Sequence, residues 1–122
     1  MILIRIVILT TLMMALNSCS DDEDVTSVCI SFDERQCSGN PWLGDLIGSE
    51  GVTDKISALA TYLSEQNIPT TTVSADPNFN QITCEACFIC PAATRYTVEI
   101  DSTLSGSLVA LNLLNVSQST CN

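Results

Sequence analysis

The chain has 122 residues, with fourteen acidic and four basic side chains, seven cysteines and no histidine, for a formal charge of −10. So acidic a chain makes nucleic acid and anionic lipid poor partners, because both are gripped by clustered Lys and Arg. The lack of histidine removes Ser-His-Asp and Cys-His catalysis in their usual forms, together with zinc sites built on imidazole.

Met1 to Ile4 and the basic Arg5 precede an apolar run from Ile6 to Leu16, which ends at the small polar step Asn17-Ser18. Eleven apolar residues give roughly 16 Å of helix, about half the hydrocarbon core of a bilayer, so residues 1–18 read as a signal peptide and not as a permanent span. The residues Leu16-Asn17-Ser18-Cys19 resemble the lipobox of bacterial lipoproteins, with a leucine three positions before the modified cysteine; Asn17 departs from the small or apolar residue usual there. The resemblance implies cleavage before Cys19 and a covalent diacylglycerol and N-acyl chain (palmitate or similar) on it, with no other cofactor. Ser20-Asp21-Asp22-Glu23-Asp24 resembles the acidic export signal that carries Bacteroidetes-type lipoproteins across the outer membrane, which implies a lipid-anchored protein at the cell surface. Read without the resemblance, the same stretch is a solvated tether, since like charges repel and keep the chain extended. Residues 19–26 would then reach at most roughly 25 Å.

Without residues 1–18 the chain carries three basic and fourteen acidic side chains, a charge of −11. Residues 27–122 make one small domain, of a size at which a single core gives marginal stability. With Cys19 assigned to acylation, Cys29, Cys37, Cys84, Cys87, Cys90 and Cys121 remain, an even number in an exported chain. Three disulfides are expected, and the 15 possible pairings stay open.

Within the domain, Ser27 to Phe32 has strand composition, with Val28, Ile30 and Phe32 on one face. The loop from Ser38 to Asp45 is rich in turn residues and holds Trp42, the one tryptophan, for which core burial is expected. From Gly51 to Gln66, Val52, Ile56, Leu59, Ala60 and Leu63 form one helical stripe that Asn67 and Pro69 terminate. Ile68 to Ser74 reads as a second strand, and Asp76-Pro77-Asn78 as a turn. Tyr96, Val98 and Ile100 alternate with Thr97, Glu99 and Asp101, the clearest strand pattern in the chain. Leu104, Leu108, Leu111 and Leu114 predict a second helix, with a short strand possible near Val116. The predicted fold is α+β, in the order β-α-β-β-α, as a disulfide-stapled sheet with helices on one face and a relationship to the split βαβ arrangement.

Cys84-Glu85-Ala86-Cys87-Phe88-Ile89-Cys90 holds two overlapping C-x-x-C units, a spacing that can form a redox dithiol or chelate a soft metal. Structural disulfides in a tight loop are the expected use in a small exported domain. Asp76, Asn78 and Asn80 resemble the start of a calcium loop, but Gln81 stands where a glycine belongs and Cys87 where a glutamate does, so a side-chain-held turn is expected and no metal. Asp101-Ser102-Thr103 resembles the short acceptor for O-glycans in the same bacteria, with Ser102 and Thr103 as candidates. The competing reading is a strand-to-helix junction capped by Ser102 or Thr103.

No catalytic constellation emerges. The reading is a lipid-anchored outer-membrane module that binds a protein or glycan partner or serves as an accessory subunit, without catalysis. The alternative is a thiol-redox or metal-handling protein centred on Cys84, Cys87 and Cys90.

Overall fold

A computed structural model describes residues 25–37, 39–44, 51–81, 84–86 and 89–121. The expected signal peptide, residues 1–18, lies outside these residues, as do Cys19, the acidic stretch Ser20–Asp24 and Cys87. The described elements are β1 (Ser27–Arg35), α1 (Val52–Glu65), β2 (Thr72–Asp76), β3 (Pro91–Asp101), a 3-10 turn (Ser102–Leu104), α2 (Ser105–Val109) and β4 (Leu114–Ser119). They form a small single α+β domain around one four-stranded sheet of order β2-β3-β1-β4.

Every pairing in that sheet is antiparallel. β1 and β2 therefore run parallel with β3 between them, and β3 and β4 run parallel with β1 between them. Two interleaved split βαβ units result, the ferredoxin-like connectivity. The expected fold class is thus what the chain adopts.

Alternation along β1 and β3 explains the layering. Ile30 and Phe32 of β1 and Tyr96, Val98 and Ile100 of β3 are buried on one face, where they join Leu59 and Leu63 of α1 and Leu108 of α2 in a single apolar cluster. Both helices thus cover the same face. Trp42 is 5 % exposed and completes this core, packing edge-on against Phe32 and Tyr96 with ring centroids 5.7 and 5.5 Å apart. Asn40 shapes the loop that delivers it, because its side chain accepts from Arg35 N–H at 2.8 Å and donates to the Arg35 carbonyl at 2.9 Å.

α1 stops where sequence patterning placed its end. Asn67 has φ 60°, its N–H reaches the Ser64 carbonyl, and the Ile68 N–H reaches the Leu63 carbonyl at 2.8 Å, so the last turn closes as a Schellman motif. Ile68 is 1 % exposed and sits in the core beside Leu63. This corrects the second strand: Ile68 belongs to the helix stop, and β2 begins only at Thr72.

The second predicted helix is also shorter than its leucines suggest. A 3-10 turn leads into α2, which ends at Val109, and Asn112 takes φ 55° before Leu114 opens β4. Leu108 is buried, Leu111 packs on the core from the following turn, and Leu114 faces β1 as strand. Ser105, Gly106, Ser107 and Val109 are weak helix formers, which is why the leucine periodicity does not carry the helix further. The anticipated strand around Val116 is β4.

Candidate functional site: the open face of the sheet

The other face of the sheet has no helix over it among the described residues, and it is made almost wholly of polar side chains. Residues opposite in register build it in rows: Ser74, Thr97, Ser31 and Ser117 cross all four strands in one row, and Thr72, Glu99, Cys29 and Ser119 form the next. Small hydroxyl residues favour such a position, since β-branched threonine suits a pleated surface and paired hydroxyls on neighbouring strands satisfy one another.

The Ser31 hydroxyl donates to Ser119 at 2.9 Å, so its 2.8 Å contact with Thr97 takes the threonine's proton. Glu99 accepts from Ser27 at 2.7 Å and from Thr72 at 3.1 Å. At one end of the face the Arg95 guanidinium bonds to Asp33 at 3.0 Å and Ser117 at 2.6 Å, and lies 4.8 Å from the centre of the Phe79 ring. Asp33, 2 % exposed, also accepts from Asn115 at 2.8 Å, so both carboxylate oxygens are engaged. Asn115 reaches it from a bulge in β4, where its φ is 52° and the register to β1 shifts.

A depression of about 470 Å³ lies on this face between Ser31, Ser74, Asp76, Phe79, Arg95 and Thr97. A smaller one of about 180 Å³ shares Ser74, Thr97 and Ser119 with it and extends toward Thr72 and the Cys29–Cys121 bridge. Together they form a shallow trough with hydroxyls on its floor, one aromatic ring at its rim (Phe79, 53 % exposed) and a fixed cation beside it. Such a surface offers hydrogen-bond donors and acceptors held by strands, with one apolar shelf, the ingredients of a recognition site. Phe79 and the hydroxyl rows are absent from the sequence reading. The strand alternation around Thr97 hints at them, but only the register shows that four strands place hydroxyls side by side.

The five described cysteines are all disulfide-bonded. Cys29 bridges Cys121 across 92 positions, Cys84 bridges Cys90 across six, and Cys37 is also half of a disulfide. Glu99 stands near the Cys29 and Cys121 sulfurs, a grouping able to hold a metal only if both thiols were free. With those sulfurs bonded to each other, the carboxylate alone remains, and no cation site exists there. Asp76 accepts from the Asn78 N–H at 2.9 Å, and the Asn80 side chain donates to the Ala92 carbonyl at 3.1 Å while its N–H donates to the Ala93 carbonyl, so the Asp76 and Asn80 side chains hold this loop.

Asp33 and Glu34, neighbours in sequence, part to opposite faces. Glu34 points into the core side, where it accepts from Lys55 at 2.9 Å and from the Tyr96 hydroxyl at 2.6 Å. Burial raises the Tyr96 pKa above its ordinary value near 10, and the Glu34 carboxylate raises it further. The Trp42 indole N–H approaches the same hydroxyl without reaching hydrogen-bonding geometry and offsets little of that rise.

At the junction after β3 the cap is Asp101, which corrects the expectation that Ser102 or Thr103 would fill that role. Its Oδ1 accepts from the Thr103 N–H at 2.8 Å and the Thr103 hydroxyl at 2.7 Å, and those two bonds hold its carboxyl below the usual range. Carboxylates make stronger acceptors than hydroxyls at such a turn.

No family model matches this chain, and neither a curated protein nor a solved structure shows significant similarity to it.

Proposed function

We propose that the chain is a lipid-anchored, non-catalytic binding module that holds a polyhydroxylated ligand, a glycan, on the open face of its sheet. The observation that carries this reading is the row Ser74-Thr97-Ser31-Ser117 lying beside the Phe79–Arg95 shelf. Hydroxyls and carboxylates at fixed spacing match sugar hydroxyls, and a half-exposed ring accepts the apolar face of a pyranose. The trough volume falls within the usual range for small-ligand sites, roughly 300–1,000 Å³. Anchoring rests on Leu16-Asn17-Ser18-Cys19, and placement at the outer surface on Ser20–Asp24.

Titration of isotopically labelled domain with a panel of neutral and acidic oligosaccharides tests the binding reading. A binding sugar shifts the amides of residues 72–76, 95–99 and 117–119, and Phe79→Ala and Thr97→Val weaken it. Absence of any shift on this face across the panel, or shifts confined to the helical side, refutes it. Anchoring is tested separately, since acyl-chain labelling is expected in the native chain and lost in Cys19→Ala.

A thiol-redox role gains one specific support, because Cys84 is exposed and its bridge to the buried Cys90 closes a short loop in which Ala86 N–H lies 3.1 Å from the Cys90 sulfur. An amide aimed at a sulfur favours its thiolate form. Facile reduction of this bridge by a dithiol reductant, with the Cys29–Cys121 bridge untouched, would favour that alternative. Thr103 is exposed and remains the better placed of the two proposed glycan acceptors, testable by a mass shift that Thr103→Ala removes.

A further inference from the structure

The second split unit leaves a gap in the helical layer. α2 stops after five residues, and beside it a groove of about 420 Å³ opens between Val28, Ile30, Ser105, Val109, Val116 and Gln118. Ser102 and Ser117 also line it, so among the described residues no ionisable side chain borders it. Val109 at the groove is 56 % exposed, and Val25, where the described chain begins, is 66 % exposed. The Ser102 N–H donates to the Thr26 carbonyl at 2.9 Å, so the entering chain and the segment that leads into α2 are neighbours.

We propose that this face rests on the lipid bilayer, with Val25 and Val109 at the headgroup–acyl boundary; the inference rests on the anchoring of Cys19. Tether length selects the occupant. Cys19 and Val25 are six residues apart, at most roughly 22 Å of extended chain, whereas a domain of this size is roughly 30 Å across. The surface around Val25 is therefore held close to the membrane, and the uncharged groove belongs to that surface. A charge-free patch of valines and small hydroxyls loses little on approaching headgroups and gains by burying valine side chains at the boundary. The rest of this acidic surface is repelled by anionic lipid, which leaves the groove side as the one that settles. The hydroxyl trough lies on the opposite side of the sheet and is left facing outward.

The test uses the lipidated full chain, inserted in nanodiscs of phosphatidylethanolamine and phosphatidylglycerol that contain a gadolinium-headgroup lipid. Amides of Ser105–Val109 are expected to relax several-fold faster than those of Thr72–Asp76. Val109→Glu, at an exposed position outside the core, is expected to bring that ratio close to one while the protein stays on the disc through Cys19. Equal relaxation of the two segments in the native chain overturns the docking and leaves the anchor intact. A native chain that fails to insert, behaving as Cys19→Ala is expected to, overturns the anchoring reading as well. Concentration-dependent shifts at Val109 and Val116 in detergent, with a dimer in sedimentation, would give the groove to a second copy and overturn the lipid assignment.

Discussion

The two split units of this domain hold their edge strands by different means. In the first, fourteen residues of α1 cross from β1 to β2, and Leu59 and Leu63 carry that unit's burial. In the second, α2 has five residues and places Leu108 alone among its fully buried side chains, yet β4 still pairs along β1. A covalent bond stands in for the missing helix: Ser119 lies opposite Cys29, and two residues later Cys121 bridges back to it. Non-covalent cover and covalent closure are thus alternative routes to a fixed edge, and the second leaves apolar surface uncovered.

This contrast can be broken most forcefully at the bridge. Replacing Cys29 and Cys121 together by serine removes a closure across 92 positions, for which chain-entropy reasoning gives about 4–5 kcal/mol, against about 2 kcal/mol for the six-position Cys84–Cys90 link. Denaturant unfolding measures both, and hydrogen exchange should show β4 opening first in the double variant. Next in size, Leu63→Ala in the long-helix unit should cost about 3–4 kcal/mol and Leu108→Ala about 2 kcal/mol, because the walls beside the groove can relax into the space left. Equal losses would mean that the short helix is as tightly packed as the long one.

Tyr96→Phe should cost about 1–2 kcal/mol, since Glu34 loses one of its two partners. Its pH signature follows from linkage: the folded-state value is raised, so the contribution is complete below pH 10 and lost as pH climbs above it. An alkaline decline in native stability that flattens in Tyr96→Phe checks this. The smallest effect is at Asp101, whose folded value is lowered. Its contribution is present above the ordinary carboxylate range and fades as pH falls through the depressed value, a slight acid-side slope that Asp101→Asn should remove.

The longest elements, β1, α1 and β3, were the most legible in sequence. Alternation marked β1 and β3, the five-residue stripe marked α1, and Asn67 marked its end, because period and cap chemistry are local properties. Errors arose where one residue type serves two purposes. Ile68 has strand character but acts as the apolar partner of a helix stop, and Leu111 and Leu114 keep helical spacing while Asn112 turns the chain. The trough was illegible for a different reason: Ser31, Ser74, Thr97 and Ser117 are far apart in sequence, and each by itself reads as an ordinary solvent-facing strand residue. Cysteine pairing was equally beyond reach, since Cys29 meets Cys121 only once β4 is known to lie beside β1.

That adjacency has a bearing on how the protein is made. β1 is the first of the described strands to leave the ribosome, and it occupies the middle of the sheet, yet one of its neighbours is the last of the described strands. At roughly 5–20 residues per second, β1 waits on the order of ten seconds for β4. Throughout that interval one flank of β1 lacks its partner and the Cys29 thiol lacks its own. The order of strands thereby keeps the sheet incomplete until β4 has emerged, and the Cys29–Cys121 bond can be made only after that point.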